Sequence, residues 1–242
     1  MKAFALTNMG VRRNTNQDYA YVSEQNVGNL PNILIVADGM GGHKAGEVAS
    51  EQAVNAVLES IRQNNSTDKI SIIEEAIAEA NKKVLHMATS DEKFKGMGTT
   101  LVVATLENDI LYVANVGDSR LYLIKDNEIR QITRDHSLVQ EMVSMGELDK
   151  ESAKTHSRKN VITRAIGVDT KIVADFFEVD ITSGTKILLC SDGLSNMVDD
   201  SQINDIVDEY AGKTLEETVH KLIDAANENG GHDNIAVVLA LV

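Results

Sequence analysis

One feature constrains the fold of this chain more than any other. Four times, an apolar run meets an aspartate that sits beside glycine. In the first copy Ile33-Leu34-Ile35-Val36-Ala37 stops at Asp38, and Gly39, Gly41 and Gly42 follow. A short continuous apolar run reads as a strand buried on both faces. Glycine lets the backbone turn sharply and lets a ligand approach the main chain. Asp38 therefore stands at the rim of a rigid element with bare backbone beside it. That pairing of anionic oxygen with free carbonyl oxygen suits a hard cation. Residues 111–116 run into Gly117-Asp118, and residues 186–190 into Ser191-Asp192-Gly193. Gly230-Gly231-His232-Asp233-Asn234 opens the last run, 235–242. Singly, each junction reads as a turn in which Asp caps its own backbone. Four such strand ends at one edge of a core would gather carboxylates that repel one another and resist ionising. Either these aspartates lie far apart, or divalent cations hold them together.

Nothing divides the 242 residues. Pro31 is the single proline, and no linker, internal repeat or low-complexity tract interrupts the pattern, so one domain over 1–242 is expected. The formal charge of −14 argues against a nucleic-acid partner, whose phosphates need a basic footprint. One cysteine, Cys190, permits no internal disulfide and fits a reducing compartment. The N-terminal stretch lacks a signal-peptide h-region, and no run approaches a membrane span. The expectation is a cytoplasmic protein without membrane insertion, working as a monomer.

Periodicity supplies the order of elements. Short strands at 1–7 and 19–23 flank a loop rich in Asn, Gly and Arg. Ala45, Ala49, Ala53, Val54, Val57, Leu58 and Ile61 recur at three and four, a helix with a small-residue face. Ile70, Ile73, Ile77, Ala80, Val84 and Leu85 mark a second helix, with its start signal at 66–68. Strands follow at 99–106, 109–116, 119–125 and 128–132, with hairpin turns at Glu107-Asn108 and Asp126-Asn127. A helix from 138 stops at Gly146. The polar stretch to 160 reads either as a flap, over about 144–160, or as a solvated helix-loop insertion. Strands at 172–179 and 186–191, helices at 201–210 and 215–227, and a strand at 235–242 complete the chain. This order implies an α+β fold, a four-layer α/β/β/α sandwich of two antiparallel sheets flanked by helix pairs.

Several chemistries fail on spacing. Gly212-Lys213-Thr214 lacks the phosphate-loop glycine at position 207, which is Val207. Cys190 has Asn196 where a cysteine phosphatase needs arginine, and it ends an apolar strand, where an inert buried thiol is usual. No His-x-x-x-His pair offers a zinc site. Carboxylates remain, and oxygen ligands favour Mg²⁺ or Mn²⁺. Two such ions activate water and clamp a phosphoryl oxygen. Arg12 and Arg13 are candidates to grip a substrate dianion through the guanidinium fork.

In sequence order, residues 13–18 (RNTNQD), 36–43 (VADGMGGH), 98–100 (GTT), 116–120 (VGDSR), 189–194 (LCSDGL) and 231–234 (GHDN) resemble the PPM/PP2C metal-dependent protein serine/threonine phosphatases of compact bacterial type. The resemblance implies hydrolysis of phosphoserine and phosphothreonine by water activated on a binuclear Mn²⁺ or Mg²⁺ centre. It implies that Asp38 and the Gly39 carbonyl bridge two ions and that Asp192 and Asp233 ligate one of them. Asp18 would act through a water, Asp118 would serve a third, weaker ion with Asp192, and Arg13 would hold the phosphate. His43 would be the general acid, since Met40 stands where eukaryotic members carry histidine; Gln17 replaces their glutamate. His136, in residues 133–137 (TRDHS), is expected to be structural. Phosphorylated proteins and a serine/threonine kinase acting on them are the implied partners. The rival readings are a catalytically dead interaction module on the same fold and a two-metal hydrolase of small phosphoesters.

Overall fold

The apolar runs become strands with two buried faces. Residues 1–42, 44–210 and 212–242 are described by a computed structural model, Lys150 by its backbone alone; His43 and Ala211 lie outside the description. The chain runs β1 (Lys2–Asn8), β2 (Asp18–Ser23), β3 (Ile33–Met40), α1 (Ala45–Gln63), α2 (Lys69–Ser90), β4 (Gly98–Thr99), β5 (Leu101–Glu107), β6 (Ile110–Val116), β7 (Arg120–Lys125) and β8 (Glu128–Gln131). It continues through α3 (Leu138–Ser144), α4 (Lys150–Thr155), β9 (Asp175–Asp180), β10 (Lys186–Cys190), α5 (Asp192–Ser195), α6 (Asp200–Glu209), α7 (Leu215–Glu228) and β11 (Ile235–Leu241). One sheet has the order β1-β11-β10-β7-β8, the other β2-β3-β5-β6-β9 with β4 against β3. Every pairing is antiparallel.

Side chains alternate across a strand, so one strand can serve two cores. Ile33, Ile35 and Ala37 of β3 pack with Val54, Val57, Ile73 and Ile77 of the first helix pair. Leu34 and Val36 point the other way, to Leu121, Leu189, Val238 and Ala240 of the opposite sheet. Ile235, Val237 and Leu239 of β11 face Ile203, Val219 and Leu222 of α6 and α7, while Ala236, Val238 and Ala240 enter the layer between the sheets. Three apolar layers thus separate four layers of secondary structure, as the sequence order implied. Each large aliphatic side chain so buried is worth about 1.5–3 kcal/mol. Cys190 is fully buried, and burial pushes its thiol up to about 12, which leaves it inert. Among the described residues no helix is long and apolar enough to cross a membrane.

Two local expectations need correction. The first hairpin turn is Asn108-Asp109, with φ of 49° and 65°, one residue beyond Glu107-Asn108. Asn and Asp accept the left-handed region that this turn demands, and Glu107 stays in β5 opposite Ile110. The strand expected from 172 begins at Asp175, where pairing with Asn115 of β6 starts; just before it the Val173 carbonyl accepts a hydrogen bond from Arg164 Nη1 at 2.9 Å. The polar stretch after Gly146 holds a short helix, α4, capped by Asp149 through the Ser152 N–H at 2.9 Å. Asp199 caps α6, in a capping box with Gln202.

Candidate metal centre

The antiparallel register of β2 and β3 sets Asp18 opposite Asp38. The Asp38 backbone is pinned on both sides. Its N–H donates to Thr100 Oγ1 at 2.9 Å, and its carbonyl accepts from Thr100 N and Thr99 Oγ1, each at 2.9 Å. Gly39 N–H donates to the Gln17 carbonyl at 3.0 Å. A Cβ at Gly39 would stand 2.0 Å from the Gly46 carbonyl, so only glycine lets β3 and α1 approach this closely here.

The second sheet brings the other aspartates. Ser191 follows β10 and is bonded to β11: its N–H donates to the Ala236 carbonyl at 3.1 Å, and Ala236 N–H donates to its Oγ at 2.8 Å. Asp192 opens α5 and accepts from Asn196 Nδ2 at 2.9 Å. A Cβ at Gly193 would stand 1.8 Å from the Asn234 carbonyl, so the start of α5 lies directly on the turn that carries Asp233. Asn234 staples the N-terminal loop to that turn. Its Nδ2 donates to the carbonyls of Met9 and Thr15, each at 2.8 Å, and its Oδ1 accepts the Gln17 N–H at 2.9 Å. Arg13 is thereby delivered to Asp233, Nη2 to Oδ2 at 2.6 Å. Arg12, the other candidate, contributes its backbone N–H to the Gly231 carbonyl at 3.0 Å.

Electrostatics describe one cluster. Burial lifts the Asp18 carboxyl to about 8; a Ser191 hydrogen bond opposes this, and the charges of Asp192 and Asp233 add to it. Asp38 is raised well above its usual value by burial and by the charges of Asp18, Asp192, Asp118 and Asp233. Burial and the Asp192 and Asp135 charges lift Asp118 to about 7, and burial and the Asp233 charge lift Asp192 to about 6. Like charges have been placed together in a poorly solvated site, where each resists ionisation.

The donor set suits hard divalent cations: carboxylates and carbonyls, with no thiolate among them. Asp118 Oδ1 is buried and has no hydrogen-bond partner, an orphaned acceptor that a cation would satisfy. Asp18, Asp38, Asp118, Asp192, Asp233 and the Gly39 carbonyl are the groups available to hold metal. Among the described residues no group of three or more acidic, histidine or cysteine side chains is arranged to hold a metal ion. His43 lies outside the described residues.

Four residues that hold this site were not singled out for it from sequence: Thr100, Ser119, Ser191 and Asn234. Thr100 Oγ1 and Ser119 Oγ lie 2.7 Å apart and tie the Asp38 strand end to the Asp118 turn. The signal for them was their place in the motifs at 98–100, 116–120, 189–194 and 231–234. His136 is buried beneath the same turn, and a cleft of about 190 Å³ lies beside it, lined by residues that include Arg134, Gln140, Arg164 and Asp175.

Known proteins resemble this chain in sequence and in fold. The sequence model of a family described as Protein phosphatase 2C matches residues 11–239. The serine/threonine phosphatase stp of Listeria welshimeri is 44% identical over 243 residues, covering 99% of this chain and 95% of that protein. The protein phosphatase PhpP of Streptococcus pneumoniae is 41% identical, covering 99% and 96%. Among solved structures, the S. agalactiae serine/threonine phosphatase superposes with a TM-score of 0.92 at 35% identity, covering 100% of this chain and 99% of that one. The catalytic domain of the serine/threonine protein phosphatase PstP, solved with two manganese ions, gives 0.86 at 32% identity, covering 99% and 97%.

Proposed function

The chain belongs to the protein phosphatase 2C family, and on that premise we propose that it is a metal-dependent phosphatase of phosphoserine and phosphothreonine in proteins. The observation that carries the reading is the convergence of five aspartates from the ends of both sheets, with Arg13 bonded to one of them. In this reading residues 1–242 form one catalytic unit, with the segment at about 144–160 as a flap beside the site.

Asp38, the Gly39 carbonyl, Asp192 and Asp233 would hold two divalent cations, Mn²⁺ or Mg²⁺. Asp18 would act through a water, and Asp118 with Asp192 would take a third ion. When bound, the cations supply a nucleophilic water near neutral pH and neutralise charge on the phosphoryl oxygens. Ser191 Oγ holds Asp18 by Oδ2 and so orients that carboxylate. Arg13 presents a planar fork matched to phosphate oxygens, and its exposure beside Asp233 supports a role in holding the phosphate. Removing phosphate from serine and threonine reverses a serine/threonine kinase, so that kinase and its substrates are the partners implied. A lone buried cysteine suits the reducing cytoplasm, and a monomer suffices, since every residue invoked comes from one chain.

The test is phosphate release from a phosphothreonine peptide by metal-stripped protein, with and without Mn²⁺, beside Asp38→Ala. Activity that requires metal and vanishes in the variant is expected. Metal-independent activity would exclude the mechanism. Turnover of p-nitrophenyl phosphate without any turnover of the peptide would move the reading to a hydrolase of small phosphoesters.

A further inference from the structure

Asp118 Oδ1 is not aimed by a hydrogen bond of its own. Its Oδ1 is buried without a partner, so the placement of that oxygen depends on the backbone of the turn joining β6 to β7. That turn is strained toward glycine: Gly117 has φ of 106°, and a Cβ there would stand 2.6 Å from Thr100 Cβ. Its backbone is gripped from below by His136. Gly117 N–H donates to His136 Nδ1 at 3.0 Å, and His136 N–H donates to the Gly117 carbonyl at 2.9 Å. Because Nδ1 accepts, the neutral ring carries its proton on Nε2, which lies 3.2 Å from Asp175 Oδ2 without the alignment of a hydrogen bond.

The histidine itself stands on a fixed base. Arg120 grips the neighbouring Asp135 with Nε at 3.0 Å and Nη2 at 2.7 Å. Asn115 Nδ2 donates to the Arg134 carbonyl at 2.9 Å. Thr163 N–H donates to the His136 carbonyl at 2.8 Å, and Ser137 bridges to Ile162. His136 therefore joins the Asp118 turn, which its ring and backbone grip, to residues 161–163, which its backbone and that of Ser137 and Leu138 hold, where the chain returns to the sheets after α4.

We propose that His136 is a positioning residue: by accepting the Gly117 N–H it sets the Asp118 carboxylate for cation binding, and its loss weakens that site without disturbing the ions held by Asp38, Asp192 and Asp233. The inference rests on Asp118 being a metal ligand, as argued above. It assigns His136 a purpose beyond the structural one that its burial alone implies.

The experiment compares His136→Asn, His136→Gln and His136→Ala with Asp118→Ala, titrating Mn²⁺ into the metal-stripped full chain by calorimetry. Asparagine can place an oxygen where Nδ1 stands, and glutamine reaches past it toward Asp175. Wild type is expected to show a tight phase and a weaker phase, with Asp118→Ala losing the weaker one. His136→Gln and His136→Ala should weaken that phase about 10- to 100-fold, as loss of an outer hydrogen bond to a metal site does, and leave the tight phase unchanged. His136→Asn should restore it. In parallel, hydrogen exchange at the Gly117 amide of metal-free protein should accelerate in the Gln and Ala variants and stay slow in Asn. Should the Ala variant fail to fold, Gln against Asn carries the comparison. A weaker phase lost in Asp118→Ala but intact in His136→Gln would overturn the role of His136 alone. A weaker phase absent from wild type or intact in Asp118→Ala would overturn Asp118 as a ligand, and this inference with it.

Discussion

Ser191 Oγ donates to Asp18 Oδ2 at 2.6 Å across the layer between the two sheets. The same oxygen accepts the Ala236 N–H at 2.8 Å. The hydroxyl accepts from Ala236 on one lone pair and gives its proton to Asp18, so one oxygen of that carboxyl is held as an acceptor. Ser191→Ala strands a buried N–H and removes the donor from a buried carboxylate. The expected loss is about 1–3 kcal/mol, read from urea unfolding. Ser191→Thr keeps the hydroxyl and should lose less. A urea midpoint in the Ala variant equal to wild type would show that the bridge is dispensable.

Stripped of metal, the cluster makes stability depend on pH. Asp18, Asp118 and Asp192 are lifted from 3.8 to about 8, 7 and 6. The folded chain then binds protons that the unfolded chain has already released. Their contribution is full below pH 3.8 and is lost as pH rises through those values. His136, lowered from 6.5 by burial, acts in the opposite sense only below 6.5, so the clean window runs from 6.5 to about 8. Melting temperature in chelator should fall across that window, and Mn²⁺ should restore it. A flat profile would contradict the cluster's electrostatics.

Asp38→Asn separates stability from function. The neutral amide removes a charge that burial, and then the neighbouring carboxylates, disfavour at Asp38. In chelator near pH 8 the variant should melt higher than wild type, while Mn²⁺-dependent phosphate release disappears. A lower melting temperature under those conditions would mean that repulsion is not what Asp38 suffers.

Gly193→Ala drives a Cβ to within 1.8 Å of the Asn234 carbonyl, and backbone cannot step aside as a side chain can. Overpacking of this kind costs about 1–3 kcal/mol or more, and here it also pushes Asp192 and Asp233 apart. Both thermal stability and Mn²⁺ affinity should drop. Gly212→Ala, with open space around it, is the control and should change neither.

Arg13 pairs with Asp233 at the surface, with side chains 47% and 37% exposed. Such a pair contributes at most about 1 kcal/mol, so Arg13→Ala should fold normally. Its effect should appear as a rise in KM larger than the fall in kcat. Arg13→Lys, a point charge without the fork, should recover only part of it. An unchanged KM would remove Arg13 from phosphate binding.

Much of this protein is written locally. The alternation that sends Ile35 to the helices and Val36 to the opposite sheet is a property of β3 itself, and it reads directly as a doubly buried strand. The strand-to-Asp junctions at Asp38, Asp118, Asp192 and Asp233 are equally local, and so is the chemistry of an all-oxygen donor set. Turn register at Asn108-Asp109 and the start of β9 escaped because one residue's tolerance of positive φ, or the point where pairing with β6 starts, decides them. Whether the aspartates lie apart or together was open on sequence alone. The tertiary structure decided it, through the register that sets Asp18 opposite Asp38 and the hydroxyl that reaches Asp18 from 173 residues away. No periodic pattern encodes such pairs, because they depend on how two sheets stack. Composition and spacing determined the kinds of group present; sheet packing determined that they share one poorly solvated site, and that shared burial is the source of their chemistry.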